Sequence, residues 1–172
     1  MRRMRQSSLR RLLAPIVAAA LLLAGCATPG PSLLGADAAT VMAKQGTPAE
    51  KHPLPGGGER WIYPLGGLQQ YVWAVDFDPA GRVAQVQQVR TAANFARVRV
   101  GVDTEADVRR DFGAPRLIVP YRLVGLVAWM FPYKEQDTWN SEMAIYFDHK
   151  GVVRKVENGP DPRFLGGGDD RR

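Results

Sequence analysis

Val41, Gly46 and Pro48 recur as Val108, Gly113 and Pro115, each 67 residues later. Trp61 and Pro64 recur as Trp129 and Pro132 at an offset of 68, and Phe77, Asp78, Gly81 and Val83 recur as Phe147, Asp148, Gly151 and Val153 at 70. Offsets that only grow are what a duplicated unit with small loop insertions produces. The repeats are expected over residues 34–90 and 98–160, and each must bury its apolar face within about sixty residues.

Each unit reads as one short helix followed by a meander. Asp37 is placed to cap a helix running to about Gln45, which Gly46 and then Pro48 would stop. In the second unit Thr104-x-x-Asp107 forms a capping box, with Gly113 and Pro115 as the stop. Helices of two or three turns are marginal alone and need an apolar stripe on a sheet, here expected from Val102, Ala106, Val108 and Phe112. The strands alternate with period two. Tyr71, Trp73, Val75 and Phe77 should share one face, as should Met143, Ile145 and Phe147. Both strands run into Asp-x-x-Gly turns, Asp78 to Gly81 and Asp148 to Gly151, and return as residues 82–89 and 152–157. An earlier strand at residues 60–63 and 126–131 completes each meander. The expected class is α+β: two tandem repeats, each a short helix and a three-stranded antiparallel meander.

The N-terminus has a different character. Residues 1–11 hold five arginines and no acid, and residues 12–24 are an almost unbroken apolar run. These are the n- and h-regions of a signal peptide, residues 1–25. Thirteen helical residues reach only ~20 Å, short of the ~30 Å hydrocarbon core of a bilayer. The run ends in Leu23-Ala24-Gly25-Cys26, a lipobox whose cysteine would take diacylglycerol and an acyl chain. The plainer alternative is an ordinary cut near Ala24 that leaves a stray thiol. Cys26 is the only cysteine, so the chain has no disulfide to form and one sulfur placed for lipidation. Removing the signal peptide takes five arginines with it and leaves 18 Lys plus Arg against 17 Asp plus Glu, which withdraws the support that a net charge of +6 gives to nucleic-acid binding. Residues 26–33 read as a lipidated tether and residues 161–172 as a disordered tail.

Gly35-x-Asp37 with Val41, Gly46-x-Pro48, Trp61-Ile62-Tyr63 and Val75-x-Phe77-x-x-x-Gly81-x-Val83 resembles the SmpA/OmlA (BamE-like) outer-membrane lipoproteins. Gly101, Val108, Gly113-Ala114-Pro115, Trp129-Met130-Phe131 and Ile145-x-Phe147-x-x-x-Gly151-x-Val153 give the same order again, with one extra residue before the second helix. The resemblance implies a helical layer against an antiparallel sheet, and a role in outer-membrane assembly or envelope integrity through protein contacts. The assembly lipoprotein has one such unit; two in tandem are similar in layout to secreted β-lactamase inhibitor proteins.

The residues offer little chemistry. Only His52 and His149 are present, and with Cys26 assigned no zinc or thiol site reaches a normal ligand count. Gly56-Gly57-Gly58 lacks the Lys and Ser/Thr of a phosphate cradle and reads as a flexible loop. The carboxylate pairs Asp76 with Asp78 and Asp103 with Asp107 fall at strand ends and helix caps, where structural roles are expected. Trp61, Trp73 and Trp129 are expected in the core. Trp139, in the polar stretch at residues 133–140, either anchors a partner or folds back on its own sheet. Tyr133 and Tyr121 are further candidate contacts, and residues 121–127 read as a buried edge strand or a second contact patch. The expected protein is a non-catalytic binding or scaffolding lipoprotein on the periplasmic face of the outer membrane, the Ala27 after the cysteine fitting that sorting. Its partners would be the bilayer through Cys26 and an envelope protein, with outer-membrane assembly components first; it needs no metal, nucleic acid or cofactor beyond the lipid. An enzyme-inhibitor-like binder and an envelope-integrity lipoprotein are the rival readings.

Overall fold

The computed structural model describes residues 28–165. Eight strands form two four-stranded antiparallel sheets. The first contains β1 (Glu50–Pro53), β2 (Glu59–Leu65), β3 (Tyr71–Phe77) and β4 (Val83–Gln88); the second contains β5 (Leu117–Tyr121), β6 (Leu126–Glu135), β7 (Trp139–Phe147) and β8 (Val153–Pro160). The helices are α1 (Ala38–Gln45), α2 (Ala92–Phe95) and α3 (Glu105–Phe112). The architecture is therefore α+β.

Local chemistry accounts for the element ends. The Asp37 carboxylate accepts the Thr40 N–H at 2.9 Å and starts α1, and Gly46 closes it at φ 78°. Thr104 and Asp107 make the expected reciprocal capping box on α3, which Gly113 ends at φ 73°. At the two β-turns the Asp78 carboxylate accepts the N–H groups of Ala80 and Arg82, as the Asp148 carboxylate does those of Lys150 and Val152. A register shift adjoins each turn, between Asp76 and Phe77 and between Tyr146 and Phe147. Isolated bridges tie the helix starts to the same place, Asp37 to Arg82 and Thr104 to Val152.

Each sheet has one strand more than the expected three. The extra strands, β1 and β5, lie at sheet edges, where Pro53 and Pro120 remove no hydrogen bond that an inner strand would need. Proline and a run of charge in Glu50-Lys51-His52-Pro53 hide the alternation that reveals a strand.

Two cores form. Trp61, Val75, Phe77 and Val83 on one face of the first sheet meet Val41 of α1, and Leu33 closes the cluster. The expected tether thus enters the fold, because Leu33 follows a tight turn at Pro31–Leu33 and is buried. On the second sheet Phe131, Tyr133, Ile145 and Phe147 meet Val108 and Phe112 of α3, with Phe95 of α2 stacked on Phe112 at 4.5 Å. Of the expected α3 stripe, Val102 and Ala106 are exposed. Val102 precedes the Thr104 cap and so is out of helical phase, and Ala106 lies two residues from Val108, on another face. Trp73 is half-buried against the first core rather than enclosed. The expected tail from residue 161 also departs from expectation, since Asp161 is fully buried and caps a turn at Pro162–Phe164.

The elements stack in layers. α1 covers the front of the first sheet, α2 and α3 cover the front of the second, and the end of α3 also meets the back of the first sheet.

Candidate functional site

The joint between the halves is built from the end of α3. A Cβ on Gly113 would lie 2.9 Å from Ile62 Cγ2 on the back of the first sheet, so only glycine allows this approach. Ile62, Val72, Ala74 and Val89 form the apolar floor. Polar side chains ring it. Glu50 accepts the Ala114 N–H at 2.7 Å and pairs with Arg109 at 2.7 Å. Burial pushes the Glu50 carboxyl up, but the bonds from Arg109 and Ala114 outweigh it and hold the pKa below the usual value. Arg90, almost fully buried, donates to the carbonyls of Phe112, Ala114 and Gln69. Burial brings its pKa down to about 10, with Glu50 opposing, and leaves the group charged at neutral pH. Arg60 chelates Asp76 through two 2.7 Å bonds and reaches Asp111 at 3.3 Å. A cavity of about 200 Å³ beside this joint is lined by Arg60, Asn94, Arg97, Asp103 and Asp111 among others. Apart from Arg97, its charged groups are engaged with one another or with neighbours.

Among the described residues no α-helix covers the back of the second sheet. Met130, Ala144 and Gly159 line a shallow hollow of about 330 Å³. Glu142, buried beside it, holds Arg116 at 2.6 Å and 3.0 Å. Leu117 on the edge strand is 46% exposed, and Tyr121 is 42% exposed with its ring 5.6 Å from Tyr146. A hydrogen bond to the Glu157 carboxylate first, and burial second, push the Tyr146 hydroxyl well above its ordinary pKa. The face offers apolar contact with a polar rim.

The sequence-predicted residues fall in different places. Cys26 and the lipobox residues Leu23, Ala24 and Gly25 lie outside the described residues. Trp139 opens β7 at the tip of the β6–β7 hairpin and is 66% exposed, rather than folded back on its sheet. Tyr133 is no surface anchor: β6 continues to Glu135, which turns Tyr133 into the second core with its hydroxyl 3.1 Å from Asn158. Its hydroxyl pKa is pushed up to about 12, chiefly by burial. Tyr121 ends the edge strand β5, which is exposed along most of its length, and Leu123 and Val124 stand out in the turn that follows. Glu50, Arg90 and Glu142 were not anticipated; a charged residue inside an apolar strand, as Glu142 is between Ser141 and Met143, was the available signal.

The carboxylates of the two expected pairs have structural partners. Asp76 holds Arg60, Asp78 its turn, Asp103 the Arg99 backbone and side chain, and Asp107 the α3 cap. His52 contacts Glu50 at 3.1 Å. Among the described residues no group of three His, Cys, Asp or Glu side chains is placed to hold a metal, and no helix is long and apolar enough to cross a membrane.

Fold and surfaces together define a small α+β protein with two antiparallel sheets, the second of which has a face that no α-helix covers among the described residues. No family model matches the chain, and no curated protein matches it. Among solved structures it is similar to a DUF4309 family protein, YjgB, from Bacillus subtilis subsp. subtilis str. 168, at 13% sequence identity, covering 80% of this chain and 90% of that one with a TM-score of 0.31.

Proposed function

We propose that this chain is an exported lipoprotein, acylated at Cys26 and held on the periplasmic face of the outer membrane, where two SmpA/OmlA-like repeats act as a non-catalytic protein-binding or scaffolding module. The observation that carries the proposal is the run of arginines, thirteen apolar residues and Leu23-Ala24-Gly25-Cys26. Each buried acyl methylene contributes ~0.8 kcal/mol, so the two chains of a diacylglyceryl group on that sulfur, with or without a third on the α-amino group of Cys26, anchor the protein without a spanning helix. The matching caps, Asp turns and register shifts of the two halves support a tandem duplication. Carboxylates committed to caps, turns and ion pairs favour binding over catalysis, and exposed Trp139, Leu117 and Tyr121 supply apolar contact area for an envelope protein.

The test has two arms. Metabolic labelling with an alkyne fatty acid should mark the parent chain and leave Cys26→Ala unlabelled; an unlabelled parent ends the lipoprotein reading. Crosslinking in intact envelopes, with captured proteins identified by mass spectrometry, should recover outer-membrane β-barrels or assembly factors with the parent and lose them with Cys26→Ala. A soluble periplasmic enzyme captured equally by both would replace the scaffold with an inhibitor.

A further inference from the structure

Among the described residues the end of α3 covers the back of the first sheet and no α-helix covers the back of the second, although the two faces correspond residue for residue. Ile62, Val72, Ala74 and Val89, on which the α3 end sits, have as counterparts Met130, Glu142, Ala144 and Gly159. All four line the 330 Å³ hollow. The element that fills this position in the first half also has a counterpart, the end of α1, which covers no sheet back among the described residues. The end of α1 repeats the end of α3, with Gly46 at φ 78° and ψ −166° against Gly113 at 73° and −171°, each glycine donating to the carbonyl four residues earlier. Pro48 follows as Pro115 does. A Cβ on Gly46 would meet nothing within 4 Å.

We propose that this face of the second sheet receives the α1 end, residues 42–47, of a second copy of this chain, so that copies stack head to tail. The side chains around the two positions have changed together. In the covered joint Glu50 and Arg109 form a 2.7 Å ion pair. Their counterparts are Leu117 on the second sheet and Met42 on α1, 46% and 42% exposed, and stacking buries these two apolar side chains against each other. Asp111 of the covered joint corresponds to Lys44, and Gln87, which lines the cavity beside Asp111, corresponds to Glu157. Stacking therefore sets a lysine opposite a carboxylate. Arg90, which binds the carbonyls at the α3 end, has Pro160 in its place, but Arg116, held by Glu142 on the second sheet, supplies a guanidinium for the same carbonyls. Donor and acceptor surfaces differ, so the contact is heterologous and propagates instead of closing on a two-fold axis.

The test uses the full chain carrying Cys26→Ala, so that introduced cysteines stand alone. Met42→Cys and Leu117→Cys proteins, mixed under mild oxidant, should give a disulfide dimer about ten-fold faster than Leu117→Cys mixed with Ala84→Cys, a control at another exposed position. A chain with both Met42→Cys and Leu117→Cys should give a ladder of higher species. In sedimentation, Leu117→Glu should abolish the concentration-dependent association of the parent, and Met42→Lys added to it should restore association by rebuilding an ion pair. Equal crosslinking with the control, or a parent that sediments as a monomer at every concentration, overturns the proposal and leaves the face to a different protein.

Discussion

Gly113→Ala and Gly46→Ala form a matched pair that measures how tightly the halves are joined. Both glycines have φ between 70° and 80° and ψ near −170°, a region that costs other residues about 1–3 kcal/mol. That backbone cost is common to both variants. Only at Gly113 does the new methyl meet anything: it lies 2.9 Å from Ile62 Cγ2 and 3.6 Å from Glu50 Oε1. Overpacking of this kind costs about 1–3 kcal/mol more. In a chain of 172 residues each kcal/mol moves Tm by about 2–4 °C. Gly46→Ala should lower Tm by about 2–12 °C, and Gly113→Ala by a further 2–12 °C or so. Circular-dichroism melts at dilute protein, where copies stay apart, give the comparison. Ile62→Ala removes the clashing methyl, so Gly113→Ala combined with it should cost less than the two losses added. Equal losses for the two alanine variants, with strict additivity at Ile62, would refute the close approach.

Arg90→Met, which keeps volume but leaves the carbonyls of Phe112, Ala114 and Gln69 without their donor, should cost about 3 kcal/mol or more in urea unfolding, and Arg90→Lys should recover only part because an ammonium cannot span three acceptors. The Asp107 carboxyl is held at about 2 by the Thr104 backbone bond first and the Thr104 hydroxyl second. A folded-state pKa below the ordinary 3.8 stabilises the fold above pH 4 and loses that contribution as pH falls toward 2. With the side chain about one-third exposed, the loss should be about 1 kcal/mol, visible as a pH dependence that Asp107→Asn lacks. Trp139→Ala should leave Tm within the change of about 0.5 kcal/mol expected of a surface site, while reducing capture of an envelope partner; a large loss of stability would place the ring in the core.

The parts of the fold that could be read from sequence are those set by neighbours in the chain. The Asp37 and Thr104 caps and the two Asp turns depend on side-chain to backbone bonds, and the Gly46 and Gly113 stops on positive φ and a backbone bond, each spanning four residues or fewer, and all appear as expected. What escaped depends on distant parts of the chain. β1 and β5 exist because β2 and β6 offer them an edge, and their proline-bearing sequences carry little strand pattern of their own. Tyr133 was misplaced because β6 runs four residues past Phe131 and carries the alternation inward with it. Glu50 and Arg90, the polar clamps of the joint, act across 64 and 24 residues, distances at which residue type alone says nothing about pairing.

The same reasoning explains why one sheet face could not be read as interior or surface. β3 carries apolar residues at Val72 and Ala74 between its large front-face side chains, and that continuous run signals a strand buried on both sides. Its counterpart β7 reads Glu142 and Ala144 at the same positions, one charged and one small. The covered face of the first sheet also admits a carboxylate, Asp76 held by Arg60, but places it beyond the apolar patch of Val72 and Ala74. The second sheet places its carboxylate, Glu142 held by Arg116, at the position of Val72 within the patch, beside a small-residue hollow and the exposed Leu117. A charged pair, small residues and an exposed leucine side by side are the composition of a contact rim around an apolar centre.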